Sequence, residues 1–252
     1  MLLEGKNAAI YGGGGRIGSA VARVFAREGA RVFVGGRTLS RVETVATEIR
    51  ASGGAAEAGR VDALDQGSVD AYVDAIVAQA GSLDVSFNLI SVEDVQGTPI
   101  VEMSYQDFAQ PIEIAMRSTF LTARAAAGQM TKQGSGVILA FGGADDPVPD
   151  YNIGGFQIAL HVVEAMRRQL SSELGRQGVR FVTLKTGGIL ETIPGDFEHG
   201  ERIARGIVEA TMLKRAASLE DVGNVAAFVA SDRAGTMTAA TVNVSAGALI
   251  DD

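Results

Sequence analysis

The sequence predicts an α/β fold, a doubly wound parallel sheet of about seven strands with helices on both faces, in a single domain over residues 1–252. Three observations predict it. Short, nearly continuous apolar runs alternate with longer stretches of helical periodicity, as expected of strands buried on both faces. The first of those runs leads directly into a glycine cluster that opens a helix. No linker, repeat or low-complexity stretch interrupts the alternation.

The first strand, 8–11, reads Ala-Ala-Ile-Tyr and stops at the glycines, and the helix after it, 17–28, spaces Val21, Val24 and Phe25 along one face. Val32, Phe33 and Val34 make the second strand, 31–35, and helical spacing returns over 40–51. A weaker apolar run at 58–61 precedes a helix over 68–80. The fourth strand, 83–90, leads to the longest helical stretch, 107–130. The fifth and sixth strands, 136–141 and 179–184, flank a helix over 156–174, and a helix over 219–230 and a strand over 240–244 complete the chain. The longest irregular segment, 192–215, follows the sixth strand and contains Pro194 and Gly195. Ligands of open α/β sheets sit beyond the carboxyl ends of the strands, so this segment is expected to cover a substrate.

Composition sets outer limits. An apolar fraction of 46% and a charged fraction of 21% fit a globular chain with a sizeable core. A formal charge of −8 argues against nucleic acid or an anionic membrane as partner. No apolar run approaches the ~20 residues of a membrane span. Without cysteine there is no disulfide or thiolate site, and with only His161 and His199 no metal centre is expected. A first strand that begins by about residue 7 leaves no room for a secretion signal, and a cytoplasmic location is expected. The partner that remains is a small-molecule substrate.

The chemistry concentrates at Gly12-Gly13-Gly14-Gly15-Arg16-Ile17-Gly18. Gly13, Gly15 and Gly18 satisfy G-x-G-x-x-G between a strand and a helix, the context that gives this spacing meaning. A pyrophosphate needs backbone N–H groups and the positive end of a helix aimed at it. Side chains would block that approach, so glycine stands where chain and phosphate nearly touch. Gly12, Gly13, Gly15, Arg16, Ile17 and Gly18 are therefore the expected phosphate-side contacts of a dinucleotide. The second strand ends Phe33-Val34-Gly35-Gly36-Arg37-Thr38. A site selective for NAD puts an acidic residue here to accept from the ribose 2′-hydroxyl. Gly36 takes that slot, and the Arg37 guanidinium beside it suits a 2′-phosphate. Arg16 offers a second cation. The expected cofactor is NADP(H); the alternative is that both arginines are merely solvated.

From Lys6 to the C-terminus the chain resembles the short-chain dehydrogenase/reductase family, whose fold is Rossmann-like. Val61-Asp62-Ala63-Leu64-Asp65 resembles the family's adenine-contacting segment, which implies contacts from Asp62 and Ala63. Phe87-Asn88-Leu89-Ile90-Ser91 stands where the family carries N-N-A-G and keeps Asn88. Thr186-Gly187-Gly188-Ile189-Leu190-Glu191-Thr192 is similar to the P-G-x-x-x-T stretch beside the nicotinamide, implying roles for Gly188, Ile189 and Thr192. Leu219-Glu220-Asp221-Val222 through Ala230-Ser231-Asp232 resembles the closing helix. The family buries the helices equivalent to 107–130 and 156–174 between subunits, which implies a homo-oligomer, tetramer or dimer.

The resemblance also implies a reaction, and here the chain departs from the pattern. The family pairs a tyrosine and a lysine at Y-x-x-x-K with an upstream serine and an asparagine on the preceding helix. The tyrosine transfers a proton, the lysine lowers its pKa, the serine polarises the carbonyl and the asparagine carries a relay water. Counting back from Ser171-Ser172-Glu173-Leu174 puts Phe156 at the tyrosine position and Leu160 at the lysine. The serine falls at Gly143 after the fifth strand, and the asparagine, counted from Thr119-Phe120-Leu121, at Ala115. No shift of register recovers them, because no lysine lies between Lys132 and Lys185. The wider spacing of the enoyl-reductase branch would place its tyrosine at Ile153. Phenylalanine donates no proton and leucine shifts no pKa, so ordinary carbonyl reduction is not expected.

Hydride transfer itself needs only a nicotinamide held face-on to an electrophile. A replacement acid is expected in the loop after the fifth strand, where Tyr151 lies five residues before Phe156. Its alternative is to cap or pack against the next helix. Asp145 and Asp146 are candidates to stabilise an iminium or act as a base, with Asp146 preferred, although carboxylates before Pro147 are also ordinary turn chemistry. Glu93 and Asp94, after the fourth strand, are similar candidates. His161 is turned about 100° from the site face of its helix. Lys185 stands either near a phosphate or as a solvated strand end. The expected activity is an NADP(H)-dependent oxidoreductase acting on an activated carbonyl, imine or enone. The alternatives are a cyclase, isomerase or dehydratase on the same scaffold, and a catalytically silent NADP(H)-binding subunit.

Overall fold

A computed structural model describes residues 1–143, 152–193 and 200–251. Seven strands, β1 (Asn7–Tyr11), β2 (Arg31–Gly36), β3 (Ala55–Arg60), β4 (Val85–Asn88), β5 (Gly136–Gly142), β6 (Val179–Lys185) and β7 (Ala240–Asn243), form one sheet in the order β3-β2-β1-β4-β5-β6-β7. Every pairing is parallel. The helices are α1 (Arg16–Arg27), α2 (Leu39–Ala51), α3 (Gln66–Ala80), α4 (Tyr105–Gln133), α5 (Phe156–Leu174), α6 (Gly200–Ala210) and α7 (Leu219–Ala230). This is the doubly wound architecture expected from the alternation.

Successive strand side chains leave the sheet on opposite faces, and here both faces are dry. Ala8 and Ile10, Val32 and Val34, and Val137 and Leu139 pack with α1, α2 and α7. Their neighbours Ala9 and Tyr11, Phe33, and Ile138 and Ala140 pack with α3, α4 and α5. Two covered faces explain why the strands are apolar at nearly every position rather than at alternate ones. Helix starts follow local chemistry. The Asp65 carboxylate accepts from the Ser68 N–H to start α3, Ser104 from Asp107 to start α4, and Ser218 and Asp221 form a reciprocal capping box on α7.

Three elements differ from the expectation. The strand expected at 58–61 is β3, which begins at Ala55; its alanines and glycine give little apolar contrast, and it lies at the sheet edge. β4 stops at Asn88, short of residue 90, because the Asn88 side-chain oxygen accepts the Ile90 N–H at 3.1 Å and turns the chain out of the ladder. The segment 192–215, expected to be irregular, contains α6, whose Ile207 packs where a side chain at Gly188 would stand. Its amphipathic spacing is short and follows Pro194 and Gly195, which obscured it.

Leu139 is fully buried in central β5, and Leu139→Ala is expected to lower the unfolding free energy by about 2–5 kcal/mol. Leu213→Ala, at a residue 66% exposed, is expected to stay within about 0.5 kcal/mol. Urea unfolding followed by far-UV circular dichroism measures both.

Candidate functional site

α1 and α4 leave neighbouring strands for opposite faces of the sheet, so a crevice opens above the carboxyl ends of β1 and β4. Backbone closeness shapes its floor. Gly12 has φ 73°, and a Cβ there would stand 2.3 Å from the Leu89 carbonyl oxygen. A Cβ on Gly18 would meet the Gly12 carbonyl oxygen at 2.3 Å, and one on Gly13 would meet Val34 Cγ1 at 2.5 Å. α1 starts from Gly15 with no side-chain cap and no acidic residue in its first turn. The N–H groups of Arg16, Ile17 and Gly18 therefore have no partner of the helix's own making, and all three residues line the crevice.

The crevice holds a cavity of about 530 Å³. At its floor the Asn88 amide donates to Ser118 Oγ at 3.1 Å and Thr119 Oγ1 at 3.4 Å, both on the buried face of α4. One wall is apolar, made by Ala115, Gly143, Phe156, Ala159 and Leu160. A Cβ on Gly155 would lie 1.9 Å from the Phe108 carbonyl oxygen, so glycine there lets the start of α5 press against α4. That contact brings Phe156 and Leu160 to the same cavity as Ala115. Thr186, Gly187, Gly188 and Thr192 line a further side, where Thr192 Oγ1 donates to the Ile189 carbonyl at 2.7 Å.

Of the residues expected to hold a dinucleotide, Gly12, Gly15, Arg16, Ile17, Gly18, Asn88, Gly188 and Thr192 meet in this cavity. Gly13 lies behind it against β2, and the Ile189 side chain is 4% exposed and belongs to the core. The Arg16 guanidinium donates to the carbonyls of Glu191 at 2.5 Å and Ile193 at 3.2 Å, tying the glycine loop to the turn after β6. Arg37, Asp62 and Ala63 line a second cavity of about 20 Å³, with Ile90, Ser91 and Glu93 opposite. There Asp62 Oδ1 accepts the Leu64 N–H at 3.0 Å, and Arg37 Nη2 lies 3.0 Å from Glu93 Oε1. Glu93 and Asp94, adjacent in sequence, thus part company: Asp94 lines the large cavity and Glu93 the small one. Ser118 and Thr119 were not anticipated, although their spacing of three and four from Ala115 puts them on one helix face.

The chain has four tyrosines. Tyr11 and Tyr72 are buried in the core with rings 5.5 Å apart, and burial pushes both phenols above their ordinary value. Tyr72 donates to the Phe33 carbonyl at 2.8 Å. Tyr105 is 82% exposed at the start of α4. Tyr151, Asp145 and Asp146 lie outside the described residues. Lys185 pairs with Asp251 at 2.7 Å, and its hydrogen bond helps to hold that carboxyl below its ordinary value. His161 is exposed and does not line the large cavity. Among the described residues no group of three or more acidic, histidine or cysteine side chains is arranged to hold a metal, and no helix is long and apolar enough to cross a membrane.

Comparison with known proteins accords with this layout. A family model described as enoyl-(acyl carrier protein) reductase matches residues 15–248. The chain is 30% identical over 251 residues to the uncharacterized oxidoreductase YxbG of Bacillus subtilis, covering 97% of this chain and 91% of that one. It is 29% identical over 256 residues to enoyl-(acyl carrier protein) reductase (NADH) 1 of Rhizobium meliloti, covering 98% and 91%. A solved structure of 7α-hydroxysteroid dehydrogenase with NADH and 7-oxo glycochenodeoxycholic acid superposes with a TM-score of 0.84 at 26% identity, over 97% of this chain and 94% of that one. With a family model matching residues 15–248 and a relative 30% identical over nearly the whole length, the chain belongs to the short-chain dehydrogenase/reductase family.

Proposed function

We propose that the protein is an NADP(H)-dependent oxidoreductase that acts on an activated carbonyl, imine or enone without the serine–tyrosine–lysine mechanism of its family. One observation carries this reading. A single cavity has an uncapped helix N-terminus on one side and the apolar wall of Ala115, Gly143, Phe156 and Leu160 on another. The glycine loop fits a pyrophosphate, since side chains are excluded where it must approach and three N–H groups lack helical partners. Arg37 takes the 2′-phosphate, Asp62 and Ala63 the adenine, and Gly188, Thr192 and the backbone of Ile189 the nicotinamide edge. Two of the proteins compared have NADH in their names or titles, so the phosphate preference rests on Gly36 and Arg37 of this chain. When bound, the cofactor supplies or accepts a hydride.

The apolar wall selects the substrate. With no proton donor and no polarising hydroxyl at those four positions, an unactivated ketone gains no stabilisation of its developing oxyanion from this wall. An iminium already carries its charge, and a conjugated carbonyl spreads it. Tyr11 and Tyr72 are locked in the core and Tyr105 lies on the outside, so we assign Tyr151 as the substitute proton donor and Asp146 as the accompanying carboxylate. We assign the substrate-covering role to the segment 192–215 of this single domain, whose α6 puts Ile207 against Gly188. Exposed Met116 and Phe120 on α4 and Ile158 on α5 are the apolar side chains that a second copy would cover, as a cytoplasmic homotetramer or dimer.

Nicotinamide fluorescence titration is expected to show NADPH bound at least about tenfold more tightly than NADH, with Arg37→Gln removing that difference. Absence of NADPH binding, or binding without turnover of any imine, enone or activated carbonyl, overturns the proposal. The combined variant Gly143→Ser, Phe156→Tyr, Leu160→Lys, with its fold verified by circular dichroism, is expected to gain reduction of simple ketones, read as loss of nicotinamide absorbance. Met116→Asp together with Phe120→Asp is expected to lower the mass measured by sedimentation velocity.

A further inference from the structure

Resting on the NADP(H) assignment above, we propose that Glu93 is a specificity-determining residue that competes with the cofactor's 2′-phosphate for Arg37. The Glu93 carboxylate is held at both oxygens. Oε1 lies 3.0 Å from Arg37 Nη2 at the end of β2, and Oε2 accepts from Gln110 Nε2 of α4 at 3.2 Å. Glu93 also has φ 56°, a left-handed conformation that residues other than glycine, asparagine and aspartate seldom adopt. Its carboxylate thus stands across the small cavity from Asp62 and Ala63, where the adenosine end of the cofactor is assigned.

A phosphate and a carboxylate seek the same guanidinium fork, and two anions held together on it repel. A 2′-phosphate must therefore displace Glu93 from Arg37, whereas a 2′-hydroxyl need not. The pair is exposed, at 65% for Arg37 and 46% for Glu93, so it is weak enough to break and strong enough to register. Gly36 and Arg37 favour the phosphate, and Glu93 tempers that preference from the facing loop. A selectivity based on the second strand alone omits this term, because Glu93 is 56 residues away in sequence.

The test is a double-mutant cycle on the full chain, with NADPH and NADH as the probes. Glu93→Gln keeps the size of the side chain and removes its charge. It is expected to tighten NADPH by about two- to fivefold and to leave NADH unchanged. In the Arg37→Gln background the same substitution is expected to change neither. An unchanged NADPH-to-NADH ratio in Glu93→Gln, or an effect of full size without Arg37, overturns the role of Glu93. The wild-type ratio tests the cofactor assignment separately. A wild type that prefers NADH, with Glu93→Gln shifting the ratio toward NADPH, overturns that assignment and supports Glu93. Binding of neither dinucleotide overturns both.

Discussion

The approach of Gly12 to the Leu89 carbonyl is the constraint on which the site is built. The first β–α turn presses against the exit of β4 so closely that a Cβ would lie 2.3 Å from a backbone oxygen. The obstacle is main chain, so no rotamer change can relieve it. The Gly12 carbonyl in turn leaves no space for a side chain at Gly18. Two strands, one helix and one loop are thereby locked to each other through backbone alone. The same lock leaves the first N–H groups of α1 at the cavity, so the packing also supplies the groups on which the proposed phosphate contact rests.

Around that lock the two cavities divide the chemistry. Charge gathers at the small one, where Arg37, Asp62 and Glu93 meet. The large one has polar groups at the glycine loop, at the Asn88–Ser118–Thr119 floor and along the turn after β6. The wall of Ala115, Gly143, Phe156, Ala159 and Leu160 is carbon, and Ser91 and Asp94 stand elsewhere on the lining. Membership in the family accounts for the sheet. The proposed substrate preference rests instead on the wall of Ala115, Gly143, Phe156 and Leu160.

Much of this was legible in the sequence because its causes are local. Strand–glycine–helix order, apolar runs on a doubly covered sheet and capping residues such as Asp65 and Ser218 each announce themselves within a few residues. Elements whose cause is distant were harder to see. β3 is a strand because Arg31–Gly36 offers it a ladder, not because Ala-Ala-Glu-Ala-Gly-Arg prefers extension. α6 is set by the space over Gly188 as much as by its own spacing. Ser118 looks like any helix serine until Asn88 donates to it, and Glu93 seems the twin of Asp94 until the turn at residue 93 sends the two carboxylates to different cavities.

One consequence follows from the back of the molecule. Gly223 of α7 receives Val24 of α1, where an added Cβ would lie 2.6 Å from the valine methyl. The helices of the first and last strand–helix units are thus interlocked behind a sheet that runs unbroken beneath the crevice. Among the described residues, the two halves of the sheet are thus joined behind the crevice as well as through the strand ladder.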